Sequence, residues 1–169
     1  QDVYVQVFES TRGLKVGAEA EFVGHMLEVQ LGPGMLSKNY DGLQNDLDKM
    51  EGVFLKRGQY TEPLDADSVW DFTPLAKVGD TVQASDWLGQ VIENSQKLKI
   101  MAPFQMEGTA TVKSIVPAGQ YKIHDVIAVL VDEKGNEISV NMIQRWPVKI
   151  PMTQYKHKPR PFKLLETGV

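Results

Sequence analysis

From residue 53 onward the apolar residues come in short groups, each closed by a glycine, proline or aspartate turn signal. Val53-Phe54-Leu55, Val69 to Phe72, Val82, Trp87 to Glu93 and Leu98 to Ala102 come first. Thr109 to Val116, Tyr121-Lys122-Ile123, Val126 to Val131 and Glu137 to Ile143 follow. Lys77-Val78-Gly79-Asp80, Pro103, Pro117-Ala118-Gly119 and Glu133-Lys134-Gly135-Asn136 separate them. Groups this short suit strands, whereas a helix needs a longer run at a 3.6-residue period. The punctuation predicts a compact antiparallel sandwich or barrel. A parallel sheet would require strands alternating with helices, and that rhythm is missing. Core positions are predicted at Trp70, Phe72, Val78, Val82, Trp87, Ile92, Ile100, Val112, Ile115, Val129, Val131, Ile138, Ile143 and Trp146.

The first third is organised differently. Strand-like stretches at 2–8, 19–24 and 26–31, with turns at Arg12-Gly13 and Gly17, predict a small antiparallel unit. Leu31-Gly32-Pro33-Gly34 breaks it. Beyond the break, Leu36, Tyr40, Leu43, Leu47 and Met50 recur at helical spacing, which predicts a connecting helix over 35–51. Ser37 or Asn39 would cap it, Asp41 would suit its positive end, and its outer face would be acidic. Pro147 to Arg160 is proline-rich and predicts an extended linker or docking strand. The strand pattern beginning at once at residue 2, and the unfinished apolar group Leu164-Leu165, suggest a piece of a longer protein.

Composition narrows the chemistry. The 169 residues contain no cysteine, which removes disulfides, iron–sulfur clusters and thiol nucleophiles. A net charge of −4 gives no global attraction to nucleic acid. No apolar run is long enough to span a membrane, and the first residues lack a signal-peptide pattern, so a soluble, cytoplasmic-type chain is expected. His25, His124 and His157 are isolated, without metal-ligand spacing. His124 beside Asp125 admits a proton relay, with a turn hydrogen bond as the favoured reading. No serine sits in a nucleophile elbow. Asp65/Asp67 and Asp132/Glu133 are expected in solvated turns. Lys156, His157, Lys158, Arg160 and Lys163 form a basic cluster on the tail. Gly32-Pro33-Gly34 fails as a phosphate cradle, because Pro33 has no N–H and Ser37-Lys38 reverses the required order.

Val78-Gly79-Asp80 with Gly89, then Ala102-Pro103 and Gly108-Thr109-Ala110-Thr111-Val112, look like the half-motifs of biotinyl and lipoyl carrier domains. Such a carrier presents a modifiable lysine at a hairpin tip. Here the tip region is Glu93-Asn94-Ser95-Gln96-Lys97-Leu98-Lys99, without Met-Lys-Met or Asp-Lys. Lys97 and Lys99 are the only candidates there. A stand-alone carrier or small-molecule-binding β domain is therefore the alternative function, and an independent nucleotide-binding protein a further one.

An ordered set of motifs is similar to the catalytic A subunit (alpha chain) of rotary V-type ATPases. It begins with Leu31-Gly32-Pro33-Gly34-Met35-Leu36 and Tyr40-Asp41-Gly42-Leu43-Gln44. Trp70-Asp71-Phe72-Thr73-Pro74, Glu93-Asn94-Ser95, Met101-Ala102-Pro103, Pro117-Ala118-Gly119-Gln120-Tyr121 and Gln144-Arg145-Trp146-Pro147-Val148 continue it. The resemblance implies a mostly β chain in four parts. Residues 1–34 would be the later part of an N-terminal β-barrel, 35–51 the connecting helix, and 52–146 a bulge domain of barrel-sandwich type resembling a biotinyl/lipoyl architecture. Residues 147–169 would lead toward a nucleotide-binding domain. The parent enzyme would couple ATP hydrolysis or synthesis to H⁺ or Na⁺ transport, using ATP and Mg²⁺. Its partners would be B subunits of an A3B3 hexamer and peripheral-stalk subunits, in a cytoplasmic sector peripheral to the membrane. The phosphate-loop lysine and the catalytic glutamate of that family have no counterpart here, so no catalytic, cofactor-binding or metal residue is assigned. The expected role of this segment is structural and regulatory.

Overall fold

The structure, a computed structural model, describes residues 7, 10–19, 21, 24, 26–52 and 58–151. Among these residues ten strands run β1 Glu28–Leu31, β2 Val69–Pro74, β3 Thr81–Gln83, β4 Trp87–Glu93, β5 Gln96–Met101, β6 Thr109–Ile115, β7 Gly119–Lys122, β8 Ala128–Asp132, β9 Glu137–Val140 and β10 Gln144–Pro147. They form three antiparallel sheets: a ribbon β1-β10 and two four-stranded sheets, β5-β4-β2-β7 and β3-β6-β8-β9. The mostly β reading therefore holds.

Alternation builds the interior. On β6, Ala110 and Val112 are buried while Thr109, Thr111 and Lys113 face solvent. Leu88, Leu130, Val82, Val112, Met106 and Val140 make one buried cluster with three alanines. Phe72, Val91, Ile100, Ile127 and Met142 make a second, and Ile115 packs against both. The two sheets thus share a continuous apolar filling.

Phe72, Val82, Ile100 and Val112 lie in the core as expected, with Trp70, Ile115 and Ile138 packed against it. Val78, Trp87 and Ile92 do not; they are 65%, 58% and 62% exposed. On β4 a register shift between Trp87 and Gly89 sets the parity, sending Leu88 and Val91 inward and Trp87 and Ile92 outward. On β8 the fully inward residues are Ala128 and Leu130, while Val129 and Val131 are half-buried.

The connecting helix over 35–51 is overturned. Among the described residues the only helical element is a 3-10 turn, Leu47–Lys49, and Tyr40 and Asp46 form an isolated β-bridge. Ser37 and Gln44 take left-handed backbone, with φ of 62° and 64°, which no α-helix accommodates. The Asp41 carboxylate accepts hydrogen bonds from the Leu43 and Asn45 N–H groups, so side-chain capping of a turn outcompetes helical backbone pairing. Leu36 and Leu43 are exposed, so the helical spacing marks no buried face.

The barrel is corrected as well. Among the described residues no sheet closes on itself, because β1 pairs only with β10 and both four-stranded sheets are open. Of the three early strands, 26–31 is realised as β1. The stretch 2–8 lies outside the described residues except for Val7, and 19–24 falls partly outside them. Val53-Phe54-Leu55 and everything after Pro151 also lie outside.

Candidate functional site: a hairpin tip clamped to the Gly-Pro-Gly loop

β4 and β5 are joined by a two-residue turn, Asn94-Ser95, with φ of 45° and 66°. Both central residues at positive φ match the twist of a tight hairpin. This tip is where a carrier domain would display its lysine. Here it is engaged. The Glu93 side chain is nearly buried, and its Oε1 accepts hydrogen bonds from the Gly34 N–H at 3.0 Å and the Leu36 N–H at 2.9 Å. Asn94 Nδ2 donates to Ser37 Oγ at 2.9 Å. Gly34 sits at φ 100°, the left-handed turn that aims these amides at the carboxylate. Two N–H groups converging on one anion form the smallest version of an anion nest.

The next stretch is fastened by its own polar side chains. Gln44 lies alongside β1, accepting from the Gln30 N–H at 2.8 Å and donating to the Gln30 carbonyl at 2.7 Å. Its amide thereby substitutes for a neighbouring strand along the edge of β1. Asn45 donates to the Asp41 carboxylate and accepts from the Thr61 N–H. The fully buried Asp46 carboxylate meets the Lys38 ammonium at 3.1 Å and accepts from the Asp48 N–H. That hydrogen bond to Asp46, reinforced by its charge, raises the Lys38 pKa. Burial, and then Asp46, push the Tyr40 hydroxyl up, and Tyr40 donates to the Pro63 carbonyl. For Asp41, burial works upward, but the hydrogen bonds from Asn45 and Leu43 prevail and the carboxyl stays below its usual value.

Gln44→Ala is expected to destabilise the chain by about 1–2 kcal/mol, the net worth of two partly buried hydrogen bonds. Urea unfolding measures the loss, and faster amide exchange at Gln30 locates it.

The other candidates are dispersed. Lys97 is exposed on β5. Lys99 donates to Gln90 Oε1 and lies 4.7 Å from the Trp87 ring centre, so it is engaged on the sheet face. Asp125 accepts from the Lys122 N–H at 2.7 Å, the turn bond favoured over a relay. His124 is exposed and borders an open cleft of about 250 Å³ with Phe104, Asn141 and Arg145. His25, His157 and the basic tail cluster lie outside the described residues. Asp65 and Asp132 cap turns, Asp67 pairs with Lys122, and Glu133 accepts from Thr109. Among the described residues no three His, Asp or Glu side chains converge as a metal site would require. None of their helices is long and apolar enough to cross a membrane.

The capped turns carry a pH signature. Hydrogen bonds from the Asn136 side chain and N–H, and from the Lys134 N–H, hold the Asp132 carboxyl below its ordinary value. Asp41 is lowered too. A lowered folded-state pKa contributes stability that is present above the unfolded value and disappears as pH falls through the folded one. The urea midpoint is expected to hold near neutrality and decline below about pH 4. Asp132→Asn should flatten that decline.

In the sequence Glu93-Asn94-Ser95 and Gly32-Pro33-Gly34 stand as separate motifs, and the fold joins them. A carboxylate immediately before a tight turn, rather than a lysine at its tip, was the available signal.

The ATP synthase alpha/beta subunit barrel-sandwich domain matches residues 61–149. The V-type ATP synthase alpha chain of Treponema denticola is 47% identical over 166 residues, covering 96% of this chain and 28% of that protein. The corresponding alpha chain of Borrelia hermsii is 48% identical over 160 residues, 93% of this chain and 28% of its own length. That of Borrelia recurrentis is 44% identical over 169 residues, 98% and 29% respectively. The chain thus spans under a third of the length of these relatives. It belongs to the ATP synthase alpha/beta subunit barrel-sandwich family.

Proposed function

We propose that this chain is a non-catalytic, load-bearing part of a V-type ATP synthase alpha chain. The whole protein would couple ATP hydrolysis or synthesis to H⁺ or Na⁺ transport, with ATP and Mg²⁺ bound elsewhere in it. Its partners would be B subunits in an A3B3 hexamer and, through the two-sheet unit, peripheral-stalk subunits. It would work in the cytoplasmic sector, peripheral to the membrane. The observation that carries this reading is the clamp. A hairpin tip that could have been a mobile carrier arm is instead bonded to the Gly-Pro-Gly loop, so the sheets and the preceding segment resist bending together. A force-transmitting element needs that stiffness, and a swinging arm needs the opposite.

The test replaces residues 61–146 by a short flexible linker in the full-length alpha chain of an assembled ATP synthase. Nucleotide binding by the alpha chain is expected to survive, while retention of the peripheral stalk and coupling to ion transport are lost. Unchanged stalk retention and coupling would defeat the proposal.

A further inference from the structure

The outward face of the β4–β5 hairpin carries an apolar strip with uncompensated positive charge. Cross-strand neighbours share a face, and the register pairs Trp87 with Met101, Gln90 with Lys99 and Ile92 with Lys97. Trp87 is 58% exposed and Ile92 62%. Single exposed apolar residues are ordinary, but two on one hairpin face, one of them tryptophan, have the composition of an interface anchor. Lys99 lies over the Trp87 indole and bonds to Gln90, which holds the ring in one orientation. An anchor fixed in advance loses less side-chain entropy on binding.

Charge then selects the partner. Two other strand lysines are neutralised within the fold, Lys113 by Glu137 and Lys122 by Asp67. Lys99 donates to a neutral amide, and Lys97 has no ion-pair partner among the described residues. The outward positions of β4 and β5 include no carboxylate, and Asp71 is the one acidic residue on the outward positions of neighbouring β2. On a chain of net charge −4 this is a local inversion of sign.

We propose that this strip docks an acidic segment of another polypeptide, which seats an apolar side chain beside Trp87 and sets carboxylates at Lys97 and Lys99. The proposal rests on the structural role argued above, since it places the chain in an assembly. Two cations around an apolar strip on an acidic chain favour a polypeptide over nucleic acid, whose affinity needs many phosphate contacts.

The experiment uses an assembled ATP synthase in which the full-length alpha chain carries photoreactive p-benzoylphenylalanine in place of Ile92. A second variant carries it in place of Val126, 49% exposed on the β7–β8 connection. The expected result is a crosslink from position 92 into an acidic peptide of a different subunit. Its yield should fall at least about tenfold in the Lys97→Glu/Lys99→Glu background. Normal far-ultraviolet circular dichroism would show that background to be folded. A crosslink into a second copy of this chain, into a basic peptide or into nucleic acid overturns the proposal. So does a yield indifferent to charge reversal, or crosslinking at position 126 alone. If stalk retention depends on residues 61–146 while position 92 stays silent, the structural role stands and this face is wrong.

Discussion

Gly89→Val is expected to destabilise the chain by about 3 kcal/mol and to loosen β2 from β4. A Cβ at this position would come within 2.2 and 2.3 Å of Phe72 Cε2 and Cζ, and 3.0 Å from the Thr73 carbonyl oxygen. The ring has little room to yield. Phe72 is 1% exposed, packs with Val91, Ile100, Ile127 and Met142, and meets the Tyr121 ring edge-on at 6.2 Å. The Thr73 carbonyl belongs to β2, whose register against β4 runs Thr73–Gln90 and Pro74–Gly89. Extra atoms must therefore displace either a core aromatic or a sheet strand. Urea unfolding of the 169-residue chain measures the cost. Gly89→Ala with Phe72→Leu should cost less than the sum of the two single changes, because the smaller side chain vacates the clash. A loss below about 1 kcal/mol for Gly89→Val would refute the close approach.

The same neighbourhood shows what a sequence reveals and what it withholds. Short groups cut by turn signals predict antiparallel strands; β4, β6 and β9 lie within those groups, and β2, β5 and β8 overlap theirs while running one or two residues past them. Period-two alternation is a local property, so it is legible without the fold. Which phase faces inward is not local. On β4 the register shift beside Gly89 puts Trp87 and Ile92, five residues apart, on the same outward face. The strand glycine marks a bulge or close approach, but not which face turns inward until Phe72 is known to pack there. The misassigned helix has the same origin. Leu36, Tyr40, Leu43, Leu47 and Met50 fit a helical face, yet Asp41 accepts from the Leu43 and Asn45 N–H groups while the Gln44 and Asn45 side chains reach the distant backbone of Gln30 and Thr61. The Asp41 cap was the local countervailing signal, which apolar spacing alone ignores, while the partners of Gln44 and Asn45 are set by the fold. The clamp was the least visible feature, because Glu93 and Gly34 are 59 residues apart in the chain. Only the fold brings them together.

The clamp predicts a graded response at position 93. Glu93→Ala is expected to cost about 2–3 kcal/mol, because it leaves the Gly34 and Leu36 N–H groups without the acceptor that now satisfies both. Glu93→Gln keeps a side-chain oxygen in reach of the same amides and loses only the charge-assisted part of each bond, so about 1 kcal/mol is expected. Hydrogen exchange separates this from a general loss of packing. In the alanine variant protection should fall first at Gly34 and Leu36 and persist at Leu88, Val112 and Leu130, which lie in the core cluster between the sheets. That pattern would mean the sheets remain folded while their hold on the preceding loop is released. Under the proposed load-bearing role, an alpha chain in that condition would assemble normally and transmit force poorly. Equal costs for alanine and glutamine, with exchange at Gly34 and Leu36 unchanged, would mean that the carboxylate does not hold the loop, and the stiffness argument would lose its physical basis.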